Sequence, residues 1–380
     1  MRGAVFGIIA AVLLIVAASC LFSGGGDSDD GPISTVPSEP EPVPSEPEPV
    51  PGYPDGVHVD VQTCTVSFDS SVDWKVYDLL SSYYVKDGYN WSLYEGYGGT
   101  GQSIELGPGM YRITAADSEF EAVFPGTLHR TSEWIYDMGG AKHQISVSYD
   151  IDIERLAQQR DGSRDFNTPH TYLFSELPSL VSITDEIRSL ESSMRSEFVR
   201  IGGDPDDEQG YADFLASFVQ CAITYPYRMS GHGEDYSIYG QDEYWSMPLE
   251  TLNLQYGDCE DTSILLCAIY AAAGYDPAVG GSSGHVYCGV ALSSFIETSE
   301  ERLKELDPYR PFKLFAYTPV EGSCSEEYAD IVYYAVETIY DQLPVGYLGS
   351  GTRPPGSSTF WGTAGFYPYQ GAESGIQAPS

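Results

Sequence analysis

Residues 248–290, PLETLNLQYGDCEDTSILLCAIYAAAGYDPAVGGSSGHVYCGV, are the stretch that decides the fold. After Cys259, apolar residues recur at the spacing of an α-helix, and the pattern stops at Gly274, with Pro277 beyond it. The pattern predicts a helix that begins at Cys259 and ends before Gly274.

Three acidic residues surround the sulfur at the start of this helix. Asp258 is a good N-cap residue, because its carboxylate can accept a hydrogen bond from a free N–H of the first turn, and Asp261 occupies the position of a capping-box acid. Cys259 then lies at the positive end of the helix dipole, which favours the ionised, nucleophilic sulfur. Glu260 and Asp261 oppose that ionisation if their charges face the sulfur. The argument therefore requires a proton acceptor near Cys259.

A strand that begins at His285 supplies this acceptor. The Gly/Ser segment before it, residues 280–284, is expected to be a loop, and the following HVYCGVAL alternates like a strand. Alternation puts His285 and Tyr287 on one face and Cys288 on the other. We therefore expect His285 to meet Cys259, while Cys288 points into a core.

A Cys and His pair needs a third group that orients the imidazole. Glu337, at the end of the β-rich run YYAVET, is the best candidate. About forty residues separate it from the His285 strand, and Asp307 in LDPYRP is the alternative within that insertion.

These motifs together resemble the transglutaminase-like superfamily of papain-type cysteine enzymes. The motifs are GDCED, the apolar helix that ends at a glycine, GHVYCGVAL, and a strand that ends in Glu-Thr before PVGY. The similarity covers roughly residues 150–348 and is closest to secreted or surface members from archaea and bacteria. It implies an α+β fold with a papain-like transglutaminase core, in which the helix bearing the cysteine packs on an antiparallel sheet bearing the histidine and the acid. It also implies a triad of Cys259 as nucleophile, His285 as general base and Glu337 as orienting acid.

In such an enzyme, Cys259 attacks the carbonyl of an amide or peptide bond, and water or an amine resolves the acyl-enzyme. The backbone N–H of Cys259 would stabilise the oxyanion, and the side chain of Gln220 is a candidate second donor, although an exposed amide is the favoured interpretation of Gln220. We expect hydrolysis rather than cross-linking, on protein or cell-wall peptide substrates, with no cofactor. The alternative is a non-catalytic cell-surface binding or adhesion protein that uses the same fold.

The net charge of the chain excludes one class of partner. The chain has 18 basic and 56 acidic residues, for a net charge of -38, which repels phosphate backbones. Nucleic acid is therefore not an expected partner.

His232 has no second His or Cys at ligand spacing, and there is no CxxC motif, so no metal site is predicted.

The N-terminus is typical of an exported protein. Residues 1–22 hold an apolar run that ends in Ala-Ala-Ser-Cys, which fits a signal peptide with lipidation at Cys20 or an uncleaved membrane anchor. Residues 23–56 contain VPSEPEP twice and predict a disordered Pro/Glu-rich linker. The rest of the chain is expected at the extracellular face of the membrane, or secreted, and to contact the membrane through this anchor alone.

Three further regions follow the linker. Short alternating runs over residues 57–150 predict a small all-β sandwich, residues 151–348 form the predicted catalytic domain, and residues 349–380 are expected to be a disordered tail.

Of the seven cysteines, five remain besides Cys20 and Cys259. Because five is an odd number, they cannot all pair, and the sequence does not indicate which would.

Overall fold

The computed structural model describes residues 52–87, 90–162, 164–165, 173–349, 352–359 and 362–371. The predicted signal or anchor, residues 1–22, and most of the linker lie outside these ranges. Within them, no helix is long and apolar enough to cross a membrane.

The described residues form a mixed α and β structure with several antiparallel sheets. The N-terminal strands are β1 (Val57–Asp60), β2 (Thr65–Asp78), β3 (Tyr84–Asp87), β4 (Asn90–Leu93), β5 (Tyr97–Glu105), β6 (Gly109–Ala115), β7 (Ser118–Phe124), β8 (Thr127–Met138) and β9 (Ala141–Asp152). The helices are α1 (Ile153–Gly162), α2 (Asp185–Arg200), α3 (Glu208–Ala222), α4 (Tyr236–Tyr239), α5 (Pro248–Leu254), α6 (Cys259–Ala273) and α7 (Glu300–Leu306), with a 3-10 helix at Phe174–Leu180. The remaining strands are β10 (Arg164–Asp165), β11 (Tyr244–Trp245), β12 (Pro277–Ser282), β13 (His285–Ala291), β14 (Phe312–Leu314), β15 (Ala316–Tyr317), β16 (Tyr333–Val336), β17 (Tyr347–Gly349), β18 (Ser358–Thr359), β19 (Gly362–Thr363) and β20 (Gly365–Pro368).

The first region contains one five-stranded antiparallel sheet where a two-sheet sandwich was expected. Its order is β1-β2-β6-β7, with β5 also paired to β2. The register of β2 shifts between Ser67 and Val72, and such a bulge bends a strand. Residues before and after the bulge, including Val66 and Val76, share one apolar core with Phe120. The bent sheet therefore packs against itself.

The hairpin of β8 and β9 belongs to the second region, although its sequence falls in the range assigned to the sandwich. Its apolar residues, including Trp134 and Ile145, lie in the main core with the helices, and the Trp134 indole N–H donates to Ser217 on α3 at 3.0 Å. The hydrophobic core of the helices therefore includes β8 and β9, as well as Met110 of β6, so the two cores do not divide at residue 150. The alternating pattern identified the strands but could not show which core buries them.

Helix α6 is the central element of the second region. It begins at Cys259 and ends at Ala273, and the next residue, Gly274, has a φ of +92°, in the left-handed region that favours glycine, so the predicted helix is confirmed. Residues Ile264 to Tyr270 are fully buried. Helices α2, α3 and α5 pack around α6, and β12 and β13 contact it from the sheet. That sheet is antiparallel, in the order β15-β16-β13-β12-β20.

The Gly/Ser segment before His285 is mostly strand, and the expected loop is reduced to a two-residue turn. Ser282 pairs with His285 across the β12–β13 hairpin, and Gly284 has a φ of +71°. A side chain at Gly280 would collide with the Tyr287 ring, and one at Gly281 with the Phe174 ring. These two glycines therefore make room for aromatic packing, which the sequence pattern could not distinguish from turn formation.

Part of the predicted disordered tail is ordered. β20 pairs with β12, and its Phe366 is fully buried in a cluster with Tyr287 and Tyr333. The prediction of disorder over residues 349–380 is therefore wrong for this segment. Four residues are too few for a visible periodicity, and the apolar surface that they cover exists only once the sheet has formed.

Truncation after Gly349 should destabilise the protein, because it unpairs one edge of β12 and removes a buried phenylalanine. We expect the free energy of unfolding to fall by at least about 3 kcal/mol, measured by urea denaturation. Truncation after Gly371 retains β20 and is the control. Equal stability of the two truncated proteins would contradict this role for the tail.

Asp213 on α3 should make stability depend on pH. Burial raises the pKa of its carboxyl group to about 7, although a hydrogen bond from the backbone N–H of Val345, at 2.7 Å, opposes this in part. Since the unfolded pKa is lower, the folded state holds an extra proton between about pH 4 and pH 7. Its stabilising contribution is complete below about pH 4 and is lost as the pH rises through 7, by up to about 1.4 kcal/mol per pH unit.

The variant Asp213→Asn tests this effect, because it keeps an acceptor for Val345 and cannot ionise. Urea denaturation from pH 4 to pH 8 should show a shallower loss of stability in Asp213→Asn than in the parent protein. Asp206→Asn changes an exposed acid in the preceding turn and should leave the slope unchanged. An unchanged slope in Asp213→Asn would rule out this carboxyl as a source.

Candidate active site

The N-terminus of α6 holds Cys259 in a nearly closed position. The residue is 9% exposed, and its Sγ donates a hydrogen bond to Oε2 of Glu260 at 3.0 Å. As the first helical residue, it has a backbone N–H without an intrahelical partner. That N–H is the oxyanion donor predicted from the sequence.

His285 and Glu337 are brought together by neighbouring strands of the central sheet. β13 begins at His285, β16 ends at Val336, and the two strands pair in antiparallel register. Nε2 of His285 lies 3.0 Å from both carboxylate oxygens of Glu337. Glu337 is 2% exposed, and Oε1 also accepts the backbone N–H of Thr338 at 3.0 Å. The carboxylate is therefore fixed and points at the imidazole.

His285 also interacts with Cys259, so it connects the two other members of the predicted triad. Burial alone would lower the pKa of His285, but the negative charge of Glu337 and a hydrogen bond with Cys259 raise it well above its usual value. Because Nε2 is occupied by Glu337, Nδ1 is the nitrogen left for the sulfur. The raised pKa favours the protonated imidazole.

The faces of β13 alternate as expected, and the face with Cys288 is the one that packs on α6. Cys288 lies in the core beneath α6, as predicted, whereas Tyr287 packs in the cluster on the other side of the sheet. His285 lies near Tyr287, with ring centroids 6.0 Å apart, and therefore does not share the face that packs on α6. It reaches Cys259 because it is the first residue of the strand and lies at the end of the sheet.

Gln220 on α3 supports the position of Glu337. Its Nε2 donates to the backbone carbonyls of Glu337, at 2.7 Å, and Leu343, at 3.0 Å. Both amide protons are used, so the side chain is not available as the oxyanion donor considered above. Gln220 is also 5% exposed, which excludes the exposed-amide alternative. Its spacing in the sequence carried no signal for this positioning contact.

The acids beside Cys259 do not act as the predicted cap. Asp258 precedes α6, but its side chain makes no capping hydrogen bond. Asp261 instead accepts the backbone N–H of Ser246 at 2.8 Å, so the capping box is not formed. Burial, followed by the charges of Asp258 and Cys259, raises the pKa of Glu260 well above its usual value. Glu260 is therefore neutral near pH 7, which removes the expected opposition to an ionised sulfur.

Three buried carboxyl groups lie together behind the cysteine. Asp235, Asp258 and Asp261 offer oxygens within 4.8 Å of one another. Each has one carboxylate oxygen without a hydrogen-bond partner. Burial, together with the mutual repulsion of the group, raises the pKa of Asp235 and Asp261 well above normal, and burial raises that of Asp258 to about 7. The raised pKa values favour the protonated form of these carboxyls, and their oxygens are the type of ligand that Ca²⁺ prefers.

The sequence analysis predicted no metal site, and it did not bring Asp235 to this cluster. Asp235 precedes α4 in a segment without periodicity, so the sequence carried no signal that its carboxylate would lie with Asp258 and Asp261. That carboxylate accepts the backbone N–H of Tyr244 at 2.7 Å. His232, which had been considered and set aside as a ligand, lies elsewhere, with Nδ1 2.8 Å from Asp242.

Asp307 does not occupy the position of an orienting acid. Its carboxylate accepts the backbone N–H groups of Tyr309, at 2.9 Å, and Arg310, at 3.1 Å, in the turn after α7. Tyr225, which follows α3, lies near Cys259. Burial and then the negative charges of Cys259 and Asp258 raise the pKa of its phenol. The tyrosine is 43% exposed and could contact a substrate that approaches the sulfur.

No protein-family model, curated protein or solved structure matches this chain. The resemblance to transglutaminase-like enzymes therefore stays a prediction, and the functional argument rests on the arrangement of side chains.

Replacing Glu337 with glutamine should lower the pKa of His285, because it removes the opposite charge at 3.0 Å. We expect the imidazole to lose its proton about 1 to 3 pH units lower than in the parent protein, measured by NMR titration of isotopically labelled histidine. The spectrum of His285→Ala assigns the resonance. Asp307→Asn is the matched control and should leave the titration unchanged. A larger change in Asp307→Asn than in Glu337→Gln would reverse the assignment of the acid.

Proposed function

We propose that this chain is a cysteine enzyme of the transglutaminase-like type, which acts on amide or peptide bonds through an acyl-enzyme. The observation that carries the proposal is that one imidazole interacts with both a helix-terminal sulfur and a buried carboxylate. This is the constellation that a nucleophile, a base and an orienting acid require. Its parts come from α6, β13 and the end of β16, so its geometry depends on the sheet and not on loops.

The chemistry follows from the protonation of the three groups. In the proposed reactive state, the Cys259 thiol passes its proton to the imidazole instead of donating to Glu260, and the imidazolium is held between the sulfur and Glu337. The sulfur attacks the substrate carbonyl, and the backbone N–H of Cys259 stabilises the oxyanion. The imidazolium then donates its proton to the leaving amine. His285, now neutral, accepts a proton from the water that hydrolyses the thioester.

Hydrolysis is the proposed outcome in preference to transfer to an amine. The support is the expected extracellular location, where water is the abundant acceptor and proteins or wall peptides are the available substrates. Cross-linking by a second substrate amine follows the same first step and differs only in the acceptor. The first region has its own core, but Met110 of β6 lies in the main core, so the first region packs against the proposed catalytic region.

The low exposure of Cys259 favours a second candidate, a non-catalytic surface binding protein that retains the fold. A sulfur that is 9% exposed admits a substrate only if neighbouring groups move. Under this alternative, the Cys259 and His285 contact would be structural and the sulfur would be unreactive.

Alkylation by iodoacetamide at pH 7 tests the proposed enzyme and distinguishes the two candidates. We expect Cys259 to react roughly tenfold faster than Cys324, which is partly exposed and whose thiol has a pKa raised by burial. His285→Ala should slow the labelling of Cys259 and leave that of Cys324 unchanged. Equal, slow labelling of both cysteines that does not depend on His285 would refute the enzyme proposal.

The substrate class requires a second measurement. A library of peptides and peptidyl amines, incubated with the parent protein and with Cys259→Ala, should yield cleavage or transfer products only with the parent protein. The ratio of hydrolysed to transferred product then decides between water and amine as the acceptor.

A further inference from the structure

Two cysteines that the proposed reaction does not use lie in contact inside the protein. Sγ of Cys267, in the middle of α6, is 3.2 Å from Sγ of Cys288, in the middle of β13. Both residues are fully buried. Among the described cysteines, these two alone have sulfurs that are hydrogen-bonded to each other. We propose that Cys267 and Cys288 form a disulfide bond in the exported protein, which joins the helix of the nucleophile to the strand of the base.

The geometry requires only a small adjustment. A disulfide has an S–S distance of about 2.05 Å, so the two sulfurs must approach each other by roughly 1 Å. They are 21 residues apart in the sequence, which separates them enough for the bond to restrict the unfolded chain. Cys259 cannot compete as a partner of Cys267, because eight residues along a helix correspond to about 12 Å.

The bond must form while the chain folds. In the folded protein both sulfurs are closed to solvent, and burial followed by the contact with Cys267 raises the pKa of the Cys288 thiol well above normal. Since thiol–disulfide exchange needs a thiolate and access to it, the folded dithiol is inert. Oxidation therefore precedes burial, and the closed core then protects the bond from reduction.

The oxidant in this step is a low-molecular-weight disulfide or a disulfide exchange protein. One protein thiolate attacks the oxidant, forms a mixed disulfide and releases one thiol. The second protein thiolate attacks the mixed disulfide at the protein sulfur and releases the other thiol. The two cysteines lose two protons and two electrons, and the oxidant is reduced to two thiols.

This bond would act at the junction on which the proposed active site depends. Cys288 is three residues after His285, and Cys267 is two turns after Cys259 on the same helix. A covalent link there fixes the distance between α6 and β13 without touching the reacting groups. The inference rests on the export proposed from the sequence and does not require that Cys259 be catalytic.

Peptide mapping of the full-length protein tests the inference directly. The reduced, unfolded chain is refolded in detergent with reduced and oxidised glutathione, free thiols are alkylated under denaturing conditions, and the protein is digested before aspartate. Aspartates at 258, 261, 276 and 307 separate the three cysteines into peptides 258–260, 261–275 and 276–306. We expect peptides 261–275 and 276–306 to be joined and to separate on reduction.

Two controls make the outcome decisive. The variant Cys259→Ala should still give the joined peptides, so failure of the enzyme proposal and failure of the disulfide are distinguishable. Protein refolded in excess dithiothreitol should unfold at a temperature about 6 to 12 °C lower than the oxidised protein. The double variant Cys267→Ala and Cys288→Ala should lose this difference. Recovery of both peptides in alkylated form after oxidative refolding overturns the proposal, whatever the stability of the variants.

Discussion

The contact between the N-terminus of α6 and the ends of β13 and β16 is the constraint on which the proposed site depends. Cys259, His285 and Glu337 are distant in sequence and meet because one helix lies across the end of one sheet. The helix cannot shift easily, since its central residues are fully buried and it is surrounded by other helices and the sheet. A helix that is apolar on all sides has its position fixed by many contacts at once. The packing of the core therefore fixes the geometry of the site.

The electrostatics of this helix end divide its carboxyl groups into two kinds. Glu337 is buried against an imidazole, so its charge is balanced and raises the pKa of His285. Asp235, Glu260 and Asp261 are buried among other acids, and their pKa values rise because isolated buried charges are unfavourable. One carboxylate thus stabilises a positive charge beside the sulfur, while the others are present mainly as neutral groups. Counting the acidic residues near Cys259 would instead suggest a cluster of negative charge around the sulfur.

Support for the site extends well beyond its three central residues. Gln220 holds the backbone at Glu337 and Leu343 and so ties α3 to the segment that follows β16. β20 completes the sheet from the C-terminal side, next to β12. Glycines at 280 and 281 leave space for the rings of Tyr287 and Phe174, which close the two faces of the hairpin. These contacts explain how a long insertion between β13 and β16 is compatible with a defined position of Glu337.

The sequence by itself determined the helix from Cys259, the strand from His285 and the three residues that meet at their junction. Helical periodicity, a stopping glycine and strand alternation are local properties, and they can be read without knowledge of the fold. Only the tertiary structure decided that the β8–β9 hairpin joins the second core, that β20 completes the sheet, and that Asp235 lies with Asp258 and Asp261. It also decided that Gln220 serves the backbone and that Cys267 faces Cys288. The reason is that burial and pairing between distant segments depend on which surfaces meet, and short or aperiodic segments carry no local signal of their partners.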